Sequence, residues 1–165
     1  MKFDNNDILL DDINLKIIDA LSKDSSVPFV EIARQIGISD ATVHLRVRRL
    51  KDEGVINKFT LSIDNDLLGY DHLSFIGINT KPGFADQITK ELSKIEEVLE
   101  IHEMHGKYDL FVKIRAKGLY HTRDIIENKI RALPNIVDTQ LMTILKTKKE
   151  EQVASLDSHI TESNG

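Results

Sequence analysis

The stretch "GISDATVHLRVRRLKDEGVI", residues 37–56, places four cations within six positions of a chain whose formal net charge is -5. These cations are Arg46, Arg48, Arg49 and Lys51. Ser39 is a favourable N-cap for a helix over residues 40–53, and Gly54 ends it. The apolar residues of this helix recur at four- and three-residue spacing: Val43, Val47 and Leu50. The stretch therefore predicts a helix with a narrow buried face and a basic outer face.

The residues before this helix predict two further short helices. Residues 11–23 begin with Asp11 as a plausible N-cap. Their apolar residues recur at four-residue spacing: Ile13, Ile17 and Leu21. The second helix begins at Pro28, whose fixed φ suits the first turn, and Gly37 closes it. Three short helices are therefore expected to pack together.

A strand-like segment follows the third helix. Residues 55–63, "VINKFTLSI", are rich in β-branched and aromatic residues and alternate loosely. They predict a strand pair, or one strand with a turn near Asn57 and Lys58. Together with the three helices this arrangement is typical of a winged helix-turn-helix domain, here expected over residues 8–63.

The outer face of the third helix favours DNA binding. In a helical projection, five residues point away from the apolar face: Ala41, His44, Leu45, Arg48 and Arg49. Thr42 and Arg46 lie on its flank. Arginine can fork onto guanine or phosphate oxygens, a helix of this size fits the major groove, and Lys58 would meet backbone phosphate. A solvated charged face is the alternative, but the short helices and predicted wing around it favour DNA contact.

A second domain is predicted after a short connection over residues 64–70. Residues 71–147 alternate strand-like and helix-like segments in the order βαββαβ, the ferredoxin-like arrangement, in which both helices cover one face of an antiparallel sheet. The strand over residues 108–116 carries Phe111 among charged residues on its other side, a mixed pattern that suits contact with a partner subunit. Residues 148–165 are polar and lose periodicity, so we expect a disordered tail.

Composition excludes several classes of site. The chain has no cysteine, which excludes disulfides and thiolate metal sites, and its six histidines lack the spacing of metal ligands. No nucleophile motif, phosphate-binding loop or zinc-protease motif occurs, so we expect neither an enzyme nor a cofactor. The first ten residues contain no apolar run long enough for a signal or a membrane span. We therefore expect a cytoplasmic protein without a membrane partner.

The two predicted domains contain four stretches that point to one family. They are "LDDINLKIIDAL", "VEIARQIGISDATVHLRVRRLKDEGVINKF", "VLEIHEMHGKYDLFVKI" and "LPNIVDTQLMTIL", and the resemblance that they carry spans roughly residues 10–147. This series resembles the Lrp/AsnC, or feast/famine, family of prokaryotic transcription regulators. The resemblance implies an α+β chain in which a winged helix-turn-helix is joined to a ferredoxin-like regulatory domain. It also implies dimers formed through the sheets, rings of dimers, and an amino acid bound between subunits.

The resemblance assigns roles to individual residues. Four match the family's recognition-helix pattern: Ser39, Thr42, Arg46 and Arg49. Three occupy its variable, sequence-reading positions: His44, Leu45 and Arg48. The family's Thr-Gly-x-Tyr-Asp turn appears as "HGKYD", which makes the expected effector residues His105, Gly106, Tyr108 and Asp109. A glycine and an aspartate between two strands are also what a hairpin turn requires.

Four positions depart from the family's pattern. Ser26, Asn14 and Lys58 stand where the family usually has arginine, aspartate and glycine. His105 replaces a small hydroxyl residue in the expected effector turn, which leaves the identity of the effector open.

The expected protein is a sequence-specific transcription regulator. It would bind double-stranded DNA as a homodimer or higher homo-oligomer and respond to a small molecule, an amino acid by resemblance. Three alternatives stay open: a metabolite sensor that does not act on DNA, an enzyme built on the ferredoxin-like half, and a constitutive architectural DNA binder. DNA affinity that falls steeply with salt would argue against the first, and turnover would identify the second. In the third, loss of Asp109 would leave DNA binding unchanged.

Overall fold

A computed structural model describes residues 11–151 and 153–154 of the chain. Within them the chain forms two compact units, which divide between Ser62 and Ile63. The first unit contains three helices, and the second, which ends at Lys148, contains a four-stranded sheet with helices on one face. This organisation confirms the predicted α+β fold class.

The first unit is a cluster of three short helices, α1 (Asp12–Lys23), α2 (Phe29–Ile36) and α3 (Asp40–Asp52). Asp11 caps α1, because its carboxylate accepts the Asn14 N–H at 2.7 Å. Gly37 ends α2 with φ of 75°, a left-handed conformation that side chains with a Cβ rarely adopt. The buried cluster of this unit comes from all three helices: Ile17, Leu21, Ile32, Ala33, Val43 and Val47.

Residues 55–63 do not form the predicted strands. They lie in neither a helix nor a strand, and Phe59, Leu61 and Ile63 are exposed. Alternating apolar residues favour an extended backbone, but a strand forms only beside a second strand with which it exchanges hydrogen bonds. None of the described residues supplies that second strand. The prediction of a strand pair is therefore wrong for a single copy of this chain.

The second unit is built on an antiparallel sheet. Its strands are β1 (His72–Thr80), β2 (Val98–Glu103), β3 (Leu110–Ala116) and β4 (Ile136–Thr143). Their spatial order is β2-β3-β1-β4, with Ile76 of β1 opposite Val112 of β3 and Leu141 of β4. Helix α4 (Ala85–Leu92) connects β1 to β2, and α5 (Leu119–Asp124) follows β3. The predicted βαββαβ order is confirmed.

The helix after β3 departs from the regular helix that the sequence predicts. Beyond Asp124 it continues as a π-helix over Ile125–Ile130, in which the Arg131 N–H donates to the Ile126 carbonyl at 2.8 Å. The wider turn places Ile125 and Ile130, five residues apart, in the buried core of the sheet. Regular α-helical spacing could not anticipate this pairing, because it favours residues three and four apart.

The face of the sheet opposite the helices is partly apolar. The rings of Phe75 and Phe111 stack there with their centroids 5.1 Å apart. Beside them Lys113 is buried and donates to Glu100 on β2 at 3.0 Å. We call this surface the open sheet face. It has the mixed apolar and charged character that the sequence predicts for a surface that meets a partner subunit.

The connection and the tail have simple structures where they are described. Residues 64–70 form a turn in which the Tyr70 N–H donates to the Asn65 carbonyl at 2.9 Å. Beyond β4, residues 144–151 and 153–154 lie in neither a helix nor a strand. The rest of the predicted tail and residues 8–10 of the predicted first domain lie outside the described residues. No helix in the described ranges is long and apolar enough to cross a membrane.

Candidate nucleic-acid interface and effector cleft

The start of α3 is fixed by its own side chains. The Ser39 Oγ accepts the Thr42 N–H at 3.1 Å and lies 2.7 Å from the Thr42 Oγ1. The Thr42 N–H also donates to the Ser39 carbonyl at 3.0 Å, so Ser39 caps the first turn of α3 through both its hydroxyl and its carbonyl oxygen. Both hydroxyl residues are near the N-terminal end of α3, the end that enters the groove first in helix-turn-helix proteins.

Four side chains of α3 point outward and define what we call the α3 surface: His44, Leu45, Arg48 and Arg49. Leu45 is 70% exposed and the Arg48 side chain is 82% exposed. The Arg48 Nε lies 3.9 Å from the Asp52 carboxylate, a contact between exposed groups that holds the guanidinium weakly. The His44 ring packs edge-on against Phe29, with centroids 4.8 Å apart. The surface therefore presents two available guanidinium groups beside an apolar side chain.

Arg46 differs from the other arginines of α3. Its Nη1 donates to both Asp11 carboxylate oxygens, at 2.9 and 2.6 Å, and to the Asn14 Oδ1 at 3.0 Å. Partial burial raises the pKa of Asp11, but hydrogen bonds from Arg46 and the Asn14 N–H outweigh it and leave the pKa below its ordinary value. Arg46 thus joins the cap of α1 to the middle of α3.

Arg46 was expected to contact DNA, but the structure engages its guanidinium within the domain. Spacing along α3 places Arg46 on the flank of the helix but cannot reveal an acceptor 35 residues earlier. Lys58, the remaining DNA-contact prediction, is exposed and lies in the extended segment rather than on a wing strand.

A cleft of about 270 Å³ opens at one end of the sheet in the second unit. Its lining comes from the end of β1, the turn into α4, the end of β2 and the residue before β3. The lining residues are Thr80, Pro82, Gly83, Ala85, Glu103, Met104 and Asp109. The Asp109 Oδ2 accepts from the N–H and the hydroxyl of Thr80 at 2.7 and 3.1 Å. These bonds hold the β2–β3 hairpin against the end of β1.

The structure brings only one of the four expected effector residues to this cleft. Asp109 lines it, whereas His105 and Gly106 are exposed in the hairpin and are not among the lining residues. The other lining residues, which the sequence did not predict, come from two stretches of the chain, residues 80–85 and 103–104. The one feature of the sequence that could have indicated these residues is that each lies near the end of a predicted strand.

Tyr108 belongs to the open sheet face. Its ring lies directly over Gly77 of β1, where an added Cβ would come within 2.6 Å of three ring atoms. Its hydroxyl donates to the Gln140 Oε1, which also accepts from Lys107 at 2.8 Å. Position 77 therefore requires glycine because a side chain there would collide with the Tyr108 ring. The requirement comes from this lack of space and not from the backbone dihedral angles.

The described residues contain no cluster of three or more histidine, aspartate or glutamate side chains that could hold a metal ion. The α3 surface offers guanidinium groups, and the cleft offers carboxylates.

Comparison with known families identifies both units. Residues 10–57 match the family model described as "Winged helix-turn-helix DNA-binding", and residues 73–154 match "Lrp/AsnC ligand binding domain". The chain belongs to the Lrp/AsnC family. The family predicted from the sequence is confirmed. A chain of this family with a DNA-binding helix-turn-helix is a transcription regulator.

Relatives of this Lrp/AsnC chain are named as transcription regulators. The HTH-type transcriptional regulator FL11 of Pyrococcus horikoshii is 39% identical over 141 residues, which are 86% of this chain and 93% of the relative. The regulatory protein AsnC of Haemophilus influenzae is 31% identical over 134 residues, 81% of this chain and 89% of the relative. These matches confirm that the chain is a regulator and not an enzyme.

Solved structures of the family share the fold of this Lrp/AsnC chain. Escherichia coli AsnC superposes with a TM-score of 0.82 at 27% identity, covering 87% of this chain and 97% of that one. The feast or famine regulatory protein of Mycobacterium tuberculosis, complexed with L-methionine, gives 0.82 at 27% identity, covering 88% and 98%. That relative binds an amino acid.

Proposed function

We propose that this Lrp/AsnC regulator binds specific DNA sequences through the α3 surface, as a homodimer or higher homo-oligomer, and that a free amino acid in the Asp109 cleft modulates its assembly. The observation that carries the proposal is the α3 surface itself. Leu45, Arg48 and Arg49 stand exposed on a helix whose start is capped and whose middle is anchored by Arg46. Such a regulator would act in the cytoplasm, as the sequence predicts.

We expect some residues of the α3 surface to contact phosphates and others to contact bases. Arg48 and Arg49 carry fixed charges suited to phosphate oxygens or to the guanine edge, and their contacts supply affinity that falls with salt. His44 and Leu45 lie nearer the N-terminus of the helix, which enters the groove first. A dimer presents two such helices to successive major grooves about 34–36 Å apart, or to a multiple of that spacing.

The Asp109 cleft suits the ammonium group of an amino acid. Asp109 uses Oδ2 to hold Thr80, and its Oδ1 accepts no hydrogen bond from the described residues. Glu103 adds a second carboxylate, while Pro82, Ala85 and Met104 offer apolar contact to a side chain. The M. tuberculosis relative with bound L-methionine supports this class of effector. The amino acid can shift the equilibrium between two assemblies only if it binds one of them more tightly than the other.

The test is a selection of genomic fragments by the purified protein at two salt concentrations, with and without a pool of free amino acids. We expect enrichment of a two-fold-related site and a change of enrichment with one amino acid. Enrichment that no amino acid changes would favour a constitutive binder. Weak binding without enrichment would favour a metabolite sensor.

A matched pair of variants checks which residues read bases. Leu45→Ala should change the preferred base at one or two positions of the selected site by about 1–3 kcal/mol, because a base contact is lost. Arg123→Ala removes an exposed arginine from the second unit and should leave the selected site unchanged. An identical site for the Leu45 variant and the wild type would contradict the proposed docking.

A further inference from the structure

The imidazole of His44 is held by residues of two helices. Its ring packs edge-on against Phe29, the first residue of α2, with centroids 4.8 Å apart and ring planes inclined by 69°. Phe29 is half-buried and packs against the apolar cluster of the first unit, so its own ring is held in place. An edge-on contact with a fixed ring restrains the direction of the imidazole before DNA binds.

Asp40 fixes the proton of the neutral imidazole. Its Oδ1 lies 3.7 Å from the His44 Nε2, one helical turn away. In a neutral imidazole one nitrogen is a donor and the other is an acceptor. A carboxylate beside Nε2 favours the form with the proton on Nε2, because an unprotonated nitrogen there would place two acceptors side by side. The outer nitrogen of the ring is therefore a hydrogen-bond donor at neutral pH.

This donor is available to a ligand. The separation of 3.7 Å between Nε2 and the Asp40 carboxylate is longer than a hydrogen bond, so a base can accept the proton while the carboxylate stays beside it. His44 is exposed and lies near the N-terminal end of α3, which enters the groove first.

Other charged groups around the ring leave this role to Asp40. Arg48 lies one turn after His44 on α3 and supplies a cation. From α2 the ring is met by the uncharged Phe29, and the Glu31 carboxylate of that helix is paired with a neighbouring arginine. Asp40 is therefore the carboxylate that acts on the His44 ring.

Guanine is the base that such a donor fits best. Its edge in the major groove presents two acceptors, N7 and O6, whereas adenine and cytosine each present an amino donor, and thymine presents O4 beside a methyl group. A donor at Nε2 finds an acceptor at either guanine atom. Protonation of the second nitrogen keeps this donor and adds a positive charge, which strengthens the same preference.

We propose that His44 contacts one guanine in each half of a two-fold site through its Nε2–H, and that Phe29 and Asp40 are positioning residues. Phe29 aims the ring and Asp40 holds the proton on Nε2. This inference rests on the proposed docking of the α3 surface in the major groove, and it names the base that one residue of that surface contacts.

A selection of bound DNA fragments with two His44 variants tests the base. Glutamine pairs with adenine N6 and N7, and arginine pairs with guanine O6 and N7. His44→Gln should therefore change one guanine in each half of the site to adenine, whereas His44→Arg should keep it. His72→Gln, at a half-buried histidine of the second unit, is the control and should leave every position unchanged.

The same selections separate this inference from the proposed function. Enrichment of a two-fold site that is identical for the wild type and His44→Gln would leave the regulator standing and overturn the contact between His44 and guanine. The absence of an enriched site for the wild type would overturn both.

The role of Asp40 has a pH signature. At about pH 8, Asp40→Asn should lose the preference for guanine at this position, because an amide can donate as well as accept and no longer holds the proton on Nε2. At about pH 5.5 both ring nitrogens carry protons, so the same variant should recover the preference. Fluorescence anisotropy with two duplexes that differ in this base pair measures it. A loss that acid does not reverse, or no loss at the higher pH, would contradict the role of Asp40.

The role of Phe29 is tested by removing or keeping its ring. Phe29→Leu retains apolar bulk but should lower the preference for guanine several-fold, because the imidazole is no longer held in one direction. Phe29→Tyr keeps the ring and should restore the preference. Circular dichroism checks that both variants stay folded. An equal loss at every position of the site would show that Phe29 supports α3 as a whole and does not position His44.

Discussion

The α3 surface and the Asp109 cleft are built in opposite ways. Every residue of the α3 surface lies within six positions of one helix, and its exposure follows from helical periodicity. The residues of the cleft come from β1, the turn into α4, and the β2–β3 hairpin, and they meet because of the order of the strands. A surface on one element can be predicted from sequence periodicity, whereas a cleft between elements depends on their packing.

The largest expected effect is on the α3 surface. A double variant with Arg48→Ala and Arg49→Ala should lose most of its affinity for all DNA sequences. The slope of log affinity against log salt should fall by about 2, because two cations no longer displace counterions from phosphates. Fluorescence anisotropy at several salt concentrations measures both quantities. An unchanged slope would show that these arginines do not contact phosphate.

The matching variant in the cleft is Asp109→Asn. Its amide oxygen can still accept from the Thr80 N–H, so the hairpin should keep its place. The lost negative charge should abolish the response to the effector while DNA affinity without effector stays near that of the wild type. Isothermal titration with the amino acid found in the selection measures effector binding by the variant, and DNA binding with and without that amino acid measures the response. A full response from the variant would place the ammonium site elsewhere.

A smaller effect is expected on stability when Arg46 is replaced. It tests whether Arg46 anchors α3 within the domain. Arg46→Ala removes three hydrogen bonds from a half-buried guanidinium and should lower the stability of the first unit by about 1–3 kcal/mol. Arg34 pairs with Glu31 on the exposed face of α2, so Arg34→Ala should cost less than about 0.5 kcal/mol. Thermal unfolding followed by circular dichroism compares them. Equal losses would show that Arg46 does not anchor α3.

The smallest expected effect is the pH dependence of this anchor. The folded pKa of Asp11 lies below its ordinary value of 3.8, so its ionised form stabilises the folded state. That contribution is present above pH 3.8 and is lost as the pH falls through the lower, folded pKa. The stability difference between the wild type and Arg46→Ala should therefore shrink in acid. Denaturant unfolding at neutral pH and near pH 3 checks this, and a constant difference would contradict it.

Sequence patterns predicted most of the architecture and the outward face of α3, but not the lining of the cleft. Capping residues such as Asp11 and Ser39 act on their own helices, which is why the three helices lie where the sequence places them. The βαββαβ order of elements along the chain could be predicted because alternation and helical periodicity are local. The pattern of residues 55–63 was just as clear, but a strand also needs a second strand with which it exchanges hydrogen bonds, and none of the described residues supplies one.

The sequence by itself determined the caps, the two domains, the outward face of α3 and the family to which the chain belongs. These features rest on contacts within a few residues or on the order of elements. Only the tertiary structure decided that Arg46 binds Asp11, that Tyr108 lies over Gly77, and that Asp109 is the expected effector residue that reaches the cleft. The physical reason is distance along the chain. Hydrogen bonds and close packing between segments some 30 residues apart depend on where folding places both segments, and no local pattern records that.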